Sequence, residues 1–93
     1  MLEKEIEAKF RNEIHDLGGM ALKFISPSLV GVPDRLVLMP NGKALFVEFK
    51  APNKKMRPLQ QMRKNQLTKL GFKVYYIDNI EKIREVIYEI STT

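Results

Sequence analysis

The second half of the chain contains the feature that most restricts the fold. An apolar run is followed by a helical pattern that begins with proline and then by a second apolar run. Residues 43–50 and 72–77 are predicted to be strands. The helix between them spans residues 58–70, because Pro58 suits a first helical turn and Gly71 suits a helix end. Such a strand-helix-strand unit forms a right-handed crossover with its two strands parallel.

The remaining elements place this unit in a larger sheet. The spacing of apolar residues predicts helices over residues 3–17 and 81–90 and strands over residues 20–25 and 35–39. Both central strands carry apolar residues on both faces, so helices should cover both sides of the sheet. We therefore predict an α/β fold, a small α/β/α sandwich with a mixed four-stranded sheet in the order αβββαβα, formed as one domain by residues 1–93.

Composition restricts the class of protein. The 93 residues include no cysteine, which argues against disulfides, thiolate metal sites and redox chemistry. The chain has neither a signal-peptide pattern nor a run of about twenty apolar residues. These features predict a soluble, cytoplasmic protein without membrane contact.

Positive charge is concentrated in one segment. Residues 49–77 contain eight basic residues and no acidic residue, whereas the rest of the chain has eight basic and eleven acidic residues. Such one-sided charge suits a nucleic-acid partner, and a solvated lysine-rich helix is an equally good interpretation of the charge alone. We predict phosphate contacts by six residues: Arg35, Lys54, Lys55, Arg57, Arg63 and Lys64.

A hairpin predicted at residues 40–42 aligns three charged residues. A three-residue Pro-Asn-Gly loop fixes a register in which Asp34 lies opposite Glu48 and shares a sheet face with Glu48 and Lys50. A two-residue turn would shift the register and place Asp34 on the other face.

Two neighbouring carboxylates repel each other unless a cation lies between them. Magnesium fits this arrangement, because it takes one or two carboxylates and retains waters and phosphate oxygens. With a nearby lysine, the arrangement suits phosphodiester hydrolysis. Alternatively, Asp34 is a turn residue, and Glu48 and Lys50 are solvent-facing positions of an edge strand.

The sequence resembles a nuclease family at these residues. "PD" at residues 33–34 and "EFK" at residues 48–50 resemble the PD-(D/E)xK signature, and nearly the whole chain is similar to the VRR-NUC branch. The resemblance implies a restriction-endonuclease-like core and magnesium or manganese as the metal. It implies Asp34, Glu48 and the backbone carbonyl of Phe49 as metal ligands, and Lys50 as the catalytic lysine.

Two supporting positions also follow from the resemblance. The branch carries a glutamate in the first helix, for which this chain offers Glu3 and Glu7. At about 100° per residue, Glu3 lies nearer the centre of the helix's apolar arc, so we expect Glu3 to face inward and to reach the metal through a water. The family glutamine corresponds to Gln60, eleven residues before Gly71.

These observations predict a metal-dependent, structure-selective DNA endonuclease, acting on four-way (Holliday) junctions or other branched DNA. A non-catalytic nucleic-acid-binding module with a nuclease-like fold is the alternative, and an RNA-directed nuclease differs only in substrate.

The resemblance also implies a bacterial or phage source and a homodimer. Leu29, Val30 and Val32 are apolar in a loop where a lone domain would expose them, although they equally suit a cover for the protein's own core.

Overall fold

The computed structural model describes residues 2–92; Met1 and Thr93, the ends of the predicted domain, lie outside the described residues. The elements follow the predicted order, with these bounds: α1 (Glu3–Asp16), β1 (Met20–Lys23), β2 (Arg35–Met39), β3 (Lys43–Phe49), α2 (Pro58–Lys69), β4 (Val74–Ile77) and α3 (Ile80–Thr92). Among residues 2–92, no helix is long and apolar enough to cross a membrane.

The four strands form one mixed sheet in the order β1-β2-β3-β4. Strand β2 is antiparallel to both of its neighbours, β1 and β3. Strands β3 and β4 are parallel, as the strand-helix-strand pattern predicts. In the β2–β3 hairpin Met39 pairs with Lys43 and Leu36 with Phe46. This is the register expected for a three-residue loop, in which both Asn41 (φ 70°) and Gly42 (φ 77°) adopt left-handed backbone conformations.

One face of the sheet carries the main core. Helices α1 and α3 pack against this face and against each other. Each helix buries three apolar side chains at helical spacing, Ile6, Phe10 and Ile14 from α1 and Ile83, Val86 and Ile90 from α3. They meet buried strand residues such as Val37 and Val47. The fold is therefore held mainly by this layer.

Helix α2 covers the other face only in part. Phe46 is buried there between the rings of Phe24 and Phe72, with ring centroids 5.5 and 5.7 Å away. Further along the sheet, Met20 and Leu38 pair with each other and remain exposed. The two-faced apolar pattern predicted a helix layer on each side, and the structure has both layers, but α2 leaves one end of its face uncovered.

Candidate active site

Asp34 lies immediately before β2, and its carboxylate turns towards the backbone of β3. The backbone N–H of Phe49 donates a 2.8 Å hydrogen bond to Oδ2 of Asp34. The carbonyl of Asp34 accepts a bond from the N–H of Phe24, so the backbone of Asp34 is also tied to the segment after β1. The carboxylate is therefore held at the junction of β2 and β3.

Pro33 changes the hydrogen bonding of the Phe49 backbone. If the β2–β3 register is extended two residues beyond the pair Arg35–Val47, Pro33 falls opposite Phe49. Proline has no N–H, so β2 offers the carbonyl of Phe49 no ladder donor at this point. At this point the N–H of Phe49 therefore bonds to the carboxylate of Asp34, and the carbonyl of Phe49 receives no hydrogen bond from β2.

Glu48 is the most enclosed member of the site, with 2% of its surface exposed. Its Oε2 accepts a 2.8 Å hydrogen bond from Nε2 of Gln60 and lies 3.5 Å from Nζ of Lys50. Its Oε1 is buried and has no hydrogen-bond partner among residues 2–92. A buried carboxylate oxygen without a donor is costly unless a cation or water meets it.

The electrostatics of the site are those of two crowded carboxylates. Burial and, next, the negative charge of Asp34 raise the pKa of Glu48 to about 7, against the opposing effect of Lys50. Burial also raises the pKa of Asp34, and the charge of Glu7 adds to the rise, whereas the hydrogen bond from Phe49 lowers it. A divalent cation would favour the ionised form of both groups.

Gln60 joins helix α2 to this pair and is the buried residue of that helix. Pro58 begins the helix, which places Gln60 in the first turn. Its Oε1 accepts a 2.9 Å bond from the backbone N–H of Arg57, and its Nε2 donates to Glu48. The amide of Gln60 therefore both caps α2 and fixes the orientation of the Glu48 carboxylate.

Comparisons with known proteins identify the family of the chain. A family model described as the VRR-NUC domain matches residues 3–78. The chain belongs to the VRR-NUC family. A protein named "Putative nuclease p44", from Acyrthosiphon pisum secondary endosymbiont phage 1, is 47% identical over 77 residues, which are 83% of this chain and 83% of that protein. A solved structure described as a VRR_NUC domain aligns with a TM-score of 0.87 at 28% identity, covering 92% of this chain and 94% of the other.

The helical glutamates of this VRR-NUC chain are placed differently from our expectation. Glu3, which we expected to face inward, is exposed in the first turn of α1, although it borders the cavity of about 310 Å³ that Asp34 also lines. Glu7 is the more enclosed of the two, and its Oε2 lies 2.7 Å from Nε of Arg35. Glu7 is thus the helical carboxylate whose charge acts on Asp34.

Arg35 also differs from the prediction. We expected it to contact DNA, but it is only 6% exposed. Its guanidinium pairs with Glu7 and donates a 2.9 Å hydrogen bond to the carbonyl of Ala21. A buried arginine with these partners links α1, β1 and β2 and is not presented to a phosphate, so we remove it from the candidate DNA contacts.

The other basic candidates lie around helix α2. Lys54, Lys55 and Arg57 are exposed in the segment before the helix. Arg63 is half-buried and donates a 2.7 Å bond to the carbonyl of Val30, so it also holds the loop that precedes Asp34. Lys64 is half-buried one position further on.

Tyr76 is a residue of this neighbourhood to which the sequence pattern assigned no role. It pairs with Glu48 across the parallel strands, and its hydroxyl donates a hydrogen bond to the carbonyl of Lys54. The parallel pairing of β3 with β4 was predicted, so alignment of the two strands was the signal that could have placed Tyr76 beside Glu48.

The site suits a magnesium-type cation on the chemistry of its donors. Among the described residues no three Asp, Glu or His side chains form a ready cluster for a metal. Magnesium does not need three, because it takes one or two carboxylates and fills the remaining positions with water and substrate oxygens. The unpartnered Oε1 of Glu48, the carboxylate of Asp34 and the carbonyl of Phe49 are hard oxygen donors of this kind.

Proposed function

We propose that this VRR-NUC protein is a magnesium- or manganese-dependent endonuclease that hydrolyses phosphodiester bonds in DNA, with four-way junctions or other branched DNA as its substrates. The observation that carries the proposal is the buried carboxylate of Glu48, whose Oε1 lacks a partner within residues 2–92 while Asp34 and Lys50 lie beside it. A protein that only bound DNA would gain nothing from burying two carboxylates next to a phosphate.

In this proposal each polar group of the site has one task. Asp34, Glu48 and the carbonyl of Phe49 hold the metal. Glu3 reaches the metal through a water from the edge of the cavity that Asp34 also lines. When bound, such a metal lowers the pKa of water and polarises a phosphoryl oxygen. Gln60 fixes the orientation of Glu48.

Lys50 supplies the positive charge of the site. Its ammonium lies 3.5 Å from Oε2 of Glu48, and its side chain is largely buried. From this position the ammonium can donate a hydrogen bond to the attacking water or to a phosphoryl oxygen and can stabilise the negative charge that develops there. We therefore assign Lys50 as the catalytic lysine.

The basic residues around α2 would hold the DNA backbone. Lys54, Lys55, Arg57, Arg63 and Lys64 all lie in or beside the segment that precedes and begins this helix. Contacts to phosphates position a duplex and carry no sequence information. We therefore expect recognition of DNA shape and charge, with affinity that falls steeply as salt rises.

We propose that the active protein is a homodimer, which would present two equivalent sites to two strands of a symmetric junction. Its support is exposed apolar surface beside the site. In the loop before Asp34, Leu29 is 42% and Val30 70% exposed, and Leu59 and Met62 are exposed on α2, which is bonded to this loop through Arg63 and Val30. Apolar surface gathered in one region of a small domain is characteristic of a protein interface.

A cleavage panel tests the enzymatic part. Duplex, single-stranded, flapped and four-way-junction DNA, together with an RNA strand, would be incubated with and without magnesium or manganese. Metal-dependent cleavage that is fastest on branched DNA is the expected result. Binding of all DNA forms without cleavage would favour a non-catalytic binding module, and preferential RNA cleavage would change the substrate.

Two variants test the assignment of the site. Glu48→Gln should abolish cleavage and leave DNA affinity equal or higher, because it removes a negative charge beside the phosphate. Lys50→Ala should also inactivate, with slightly weaker binding. Glu81→Gln, at an exposed position of α3, is the matched control. Substantial metal-dependent activity in either site variant would contradict the assignment.

Two experiments test the dimer: a measurement of the protein's mass in solution and the mixing of active with inactive chains. Light scattering at micromolar concentration should give twice the mass of the chain, and Val30→Asp should reduce it to that of a monomer. Mixed dimers of wild-type and Glu48→Gln chains should nick junctions on one strand. A monomeric wild-type protein that still makes paired symmetric cuts would refute the dimer.

A further inference from the structure

A second cavity lies between helix α2, strand β4 and the segment that precedes α2. It has a volume of about 410 Å³ and is lined by Lys55, Met56, Gln61, Lys64 and Tyr76. This volume lies within the range of small-ligand sites, which is about 300–1,000 Å³. The cavity is therefore large enough for part of a nucleotide.

The cavity adjoins the proposed catalytic centre through two neighbouring elements. Tyr76 on β4 is the strand partner of Glu48 on β3, and adjacent strands are about 5 Å apart. On α2, Gln61 directly follows Gln60, whose amide contacts Glu48. A substrate strand bound at Glu48 would thus have its next nucleotide at this cavity.

The charge of the cavity favours an anion. Lys55 and Lys64 border it, no acidic residue does, and neither lysine forms an ion pair within residues 2–92. The two ammonium groups are therefore available to a phosphate. Met56 and the ring of Tyr76 supply apolar wall, which suits the sugar or base of the same nucleotide.

Tyr76 also determines the position of the basic segment. Its hydroxyl donates a hydrogen bond to the carbonyl of Lys54, which precedes Lys55. This bond attaches residues 51–57, a segment without regular structure, to β4. Without it, Lys55 would have a wider range of positions relative to Lys64.

We propose that this cavity is a nucleotide subsite, in which Lys55 and Lys64 bind the phosphate adjacent to the scissile one, while Met56 and Tyr76 contact its sugar or base. Tyr76 is also a positioning residue for the segment that carries Lys55. The subsite rests on the function proposed above, because the phosphate at Glu48 sets the position of its neighbour.

The test uses thymidine 3′,5′-bisphosphate, which carries two phosphates on one nucleoside. Its affinity for the full chain would be compared with the affinities of thymidine 5′-monophosphate and thymidine 3′-monophosphate. All three would be measured by NMR titration in a buffer that contains calcium ions. The bisphosphate should bind at least about tenfold more tightly than either monophosphate and should shift the amide signals of Lys55 and Tyr76, because it adds a second charged contact.

Lys55→Gln combined with Lys64→Gln should remove that tenfold advantage. The control combines Lys69→Gln with Lys73→Gln, which lowers the net charge equally at exposed positions outside the cavity and should retain the advantage. Equal advantages in the two variants, or none in the wild-type protein, would overturn the subsite. Because these titrations need no cleavage, their outcome is separate from that of the cleavage panel.

Tyr76→Phe removes only the hydroxyl. It should raise KM for DNA about threefold to tenfold, as expected for loss of one positioning hydrogen bond, and should leave kcat within twofold. It should also weaken the bisphosphate in the titration. An unchanged KM and an unchanged bisphosphate affinity would overturn the positioning role, and thermal melting would verify that the variant is folded.

Discussion

The side-chain amide of Gln60 joins two backbone elements through one carboxylate: Nε2 donates a 2.8 Å hydrogen bond to Oε2 of Glu48, and Oε1 accepts a 2.9 Å bond from the N–H of Arg57. Both ends of the amide are engaged, so its orientation is fixed. The first turn of α2 therefore controls where the carboxylate of Glu48 points.

Gln60→Leu should lower kcat and weaken metal affinity, each by about 10- to 100-fold, as is typical when a partner that orients a metal ligand is lost. Cleavage rates measured against magnesium concentration would show both effects. Gln66→Leu, at an exposed position of the same helix, is the control. Unchanged magnesium dependence in Gln60→Leu would contradict an orienting role for the amide.

Glu48→Gln should make the metal-free protein more stable at alkaline pH. Because the pKa of Glu48 is raised from 4.5 to about 7 in the folded state, the unfolded chain releases this proton first. The resulting destabilisation is absent below pH 4.5, grows between pH 4.5 and 7, and reaches at most roughly 3 kcal/mol. The stability advantage of Glu48→Gln over wild type should therefore grow across this window.

Urea unfolding of both proteins between about pH 4 and 8, in a chelator, measures the effect. Glu81→Gln should track the wild-type protein. Magnesium at about pH 8 should then stabilise the wild-type protein and leave Glu48→Gln unaffected, since a ligand stabilises only the state that binds it. A pH-independent difference between Glu48→Gln and wild type would refute the raised pKa.

Gly31→Ala should destabilise the protein more than Gly42→Ala. Both glycines have positive φ, 89° and 77°, so an alanine is strained at either position. Beyond this shared cost, a Cβ at Gly31 would lie 2.8 Å from Cγ of Leu59, whereas nothing lies within 4 Å at Gly42. We expect about 1 kcal/mol for Gly42→Ala and about 2–3 kcal/mol for Gly31→Ala.

Thermal and urea unfolding would compare these two variants. Gly31 lies three residues before Asp34, so Gly31→Ala should also reduce cleavage, while Gly42→Ala, at the far end of the hairpin, should not. Equal losses of stability would mean that Leu59 moves aside at no cost.

Arg35→Met should cost about 2–4 kcal/mol of folding free energy. The substitution leaves the partly buried carboxylate of Glu7 without its cation and the carbonyl of Ala21 without its donor. Lys82→Met removes an exposed pair with Glu85 and should cost less than about 0.5 kcal/mol. Urea unfolding would measure both, and similar costs for the two variants would contradict a structural role for the buried pair.

The parts of the site that can be predicted from the residue pattern are those set by local geometry. A three-residue hairpin loop and the two-residue alternation of strands are sufficient to align Asp34 with Glu48 and Lys50. The placements of Glu3, Glu7 and Arg35 could not be predicted in this way. Helical angles show only how near Glu3 and Glu7 lie to the centre of the apolar arc of α1. The position of the Glu7 side chain is decided by Arg35, a residue 28 positions away.

The extent to which helices cover the sheet also could not be predicted from the sequence. Apolar residues on both faces of β2 predict two covering layers, and the residue pattern contains no information on how far each layer extends. The exposure of Leu38 follows from the short contact between α2 and the sheet, which is a property of the assembled fold.

Helix α2 buries Gln60 alone in the described part of the chain, whereas α1 and α3 each bury three apolar side chains. Few buried apolar contacts mean a low free energy of local unfolding. The amide protons of α2 should therefore exchange with solvent faster than those of β2 and β3 in the free protein. Phosphates bound along this helix would slow that exchange, and DNA binding would then be thermodynamically coupled to the ordering of Gln60.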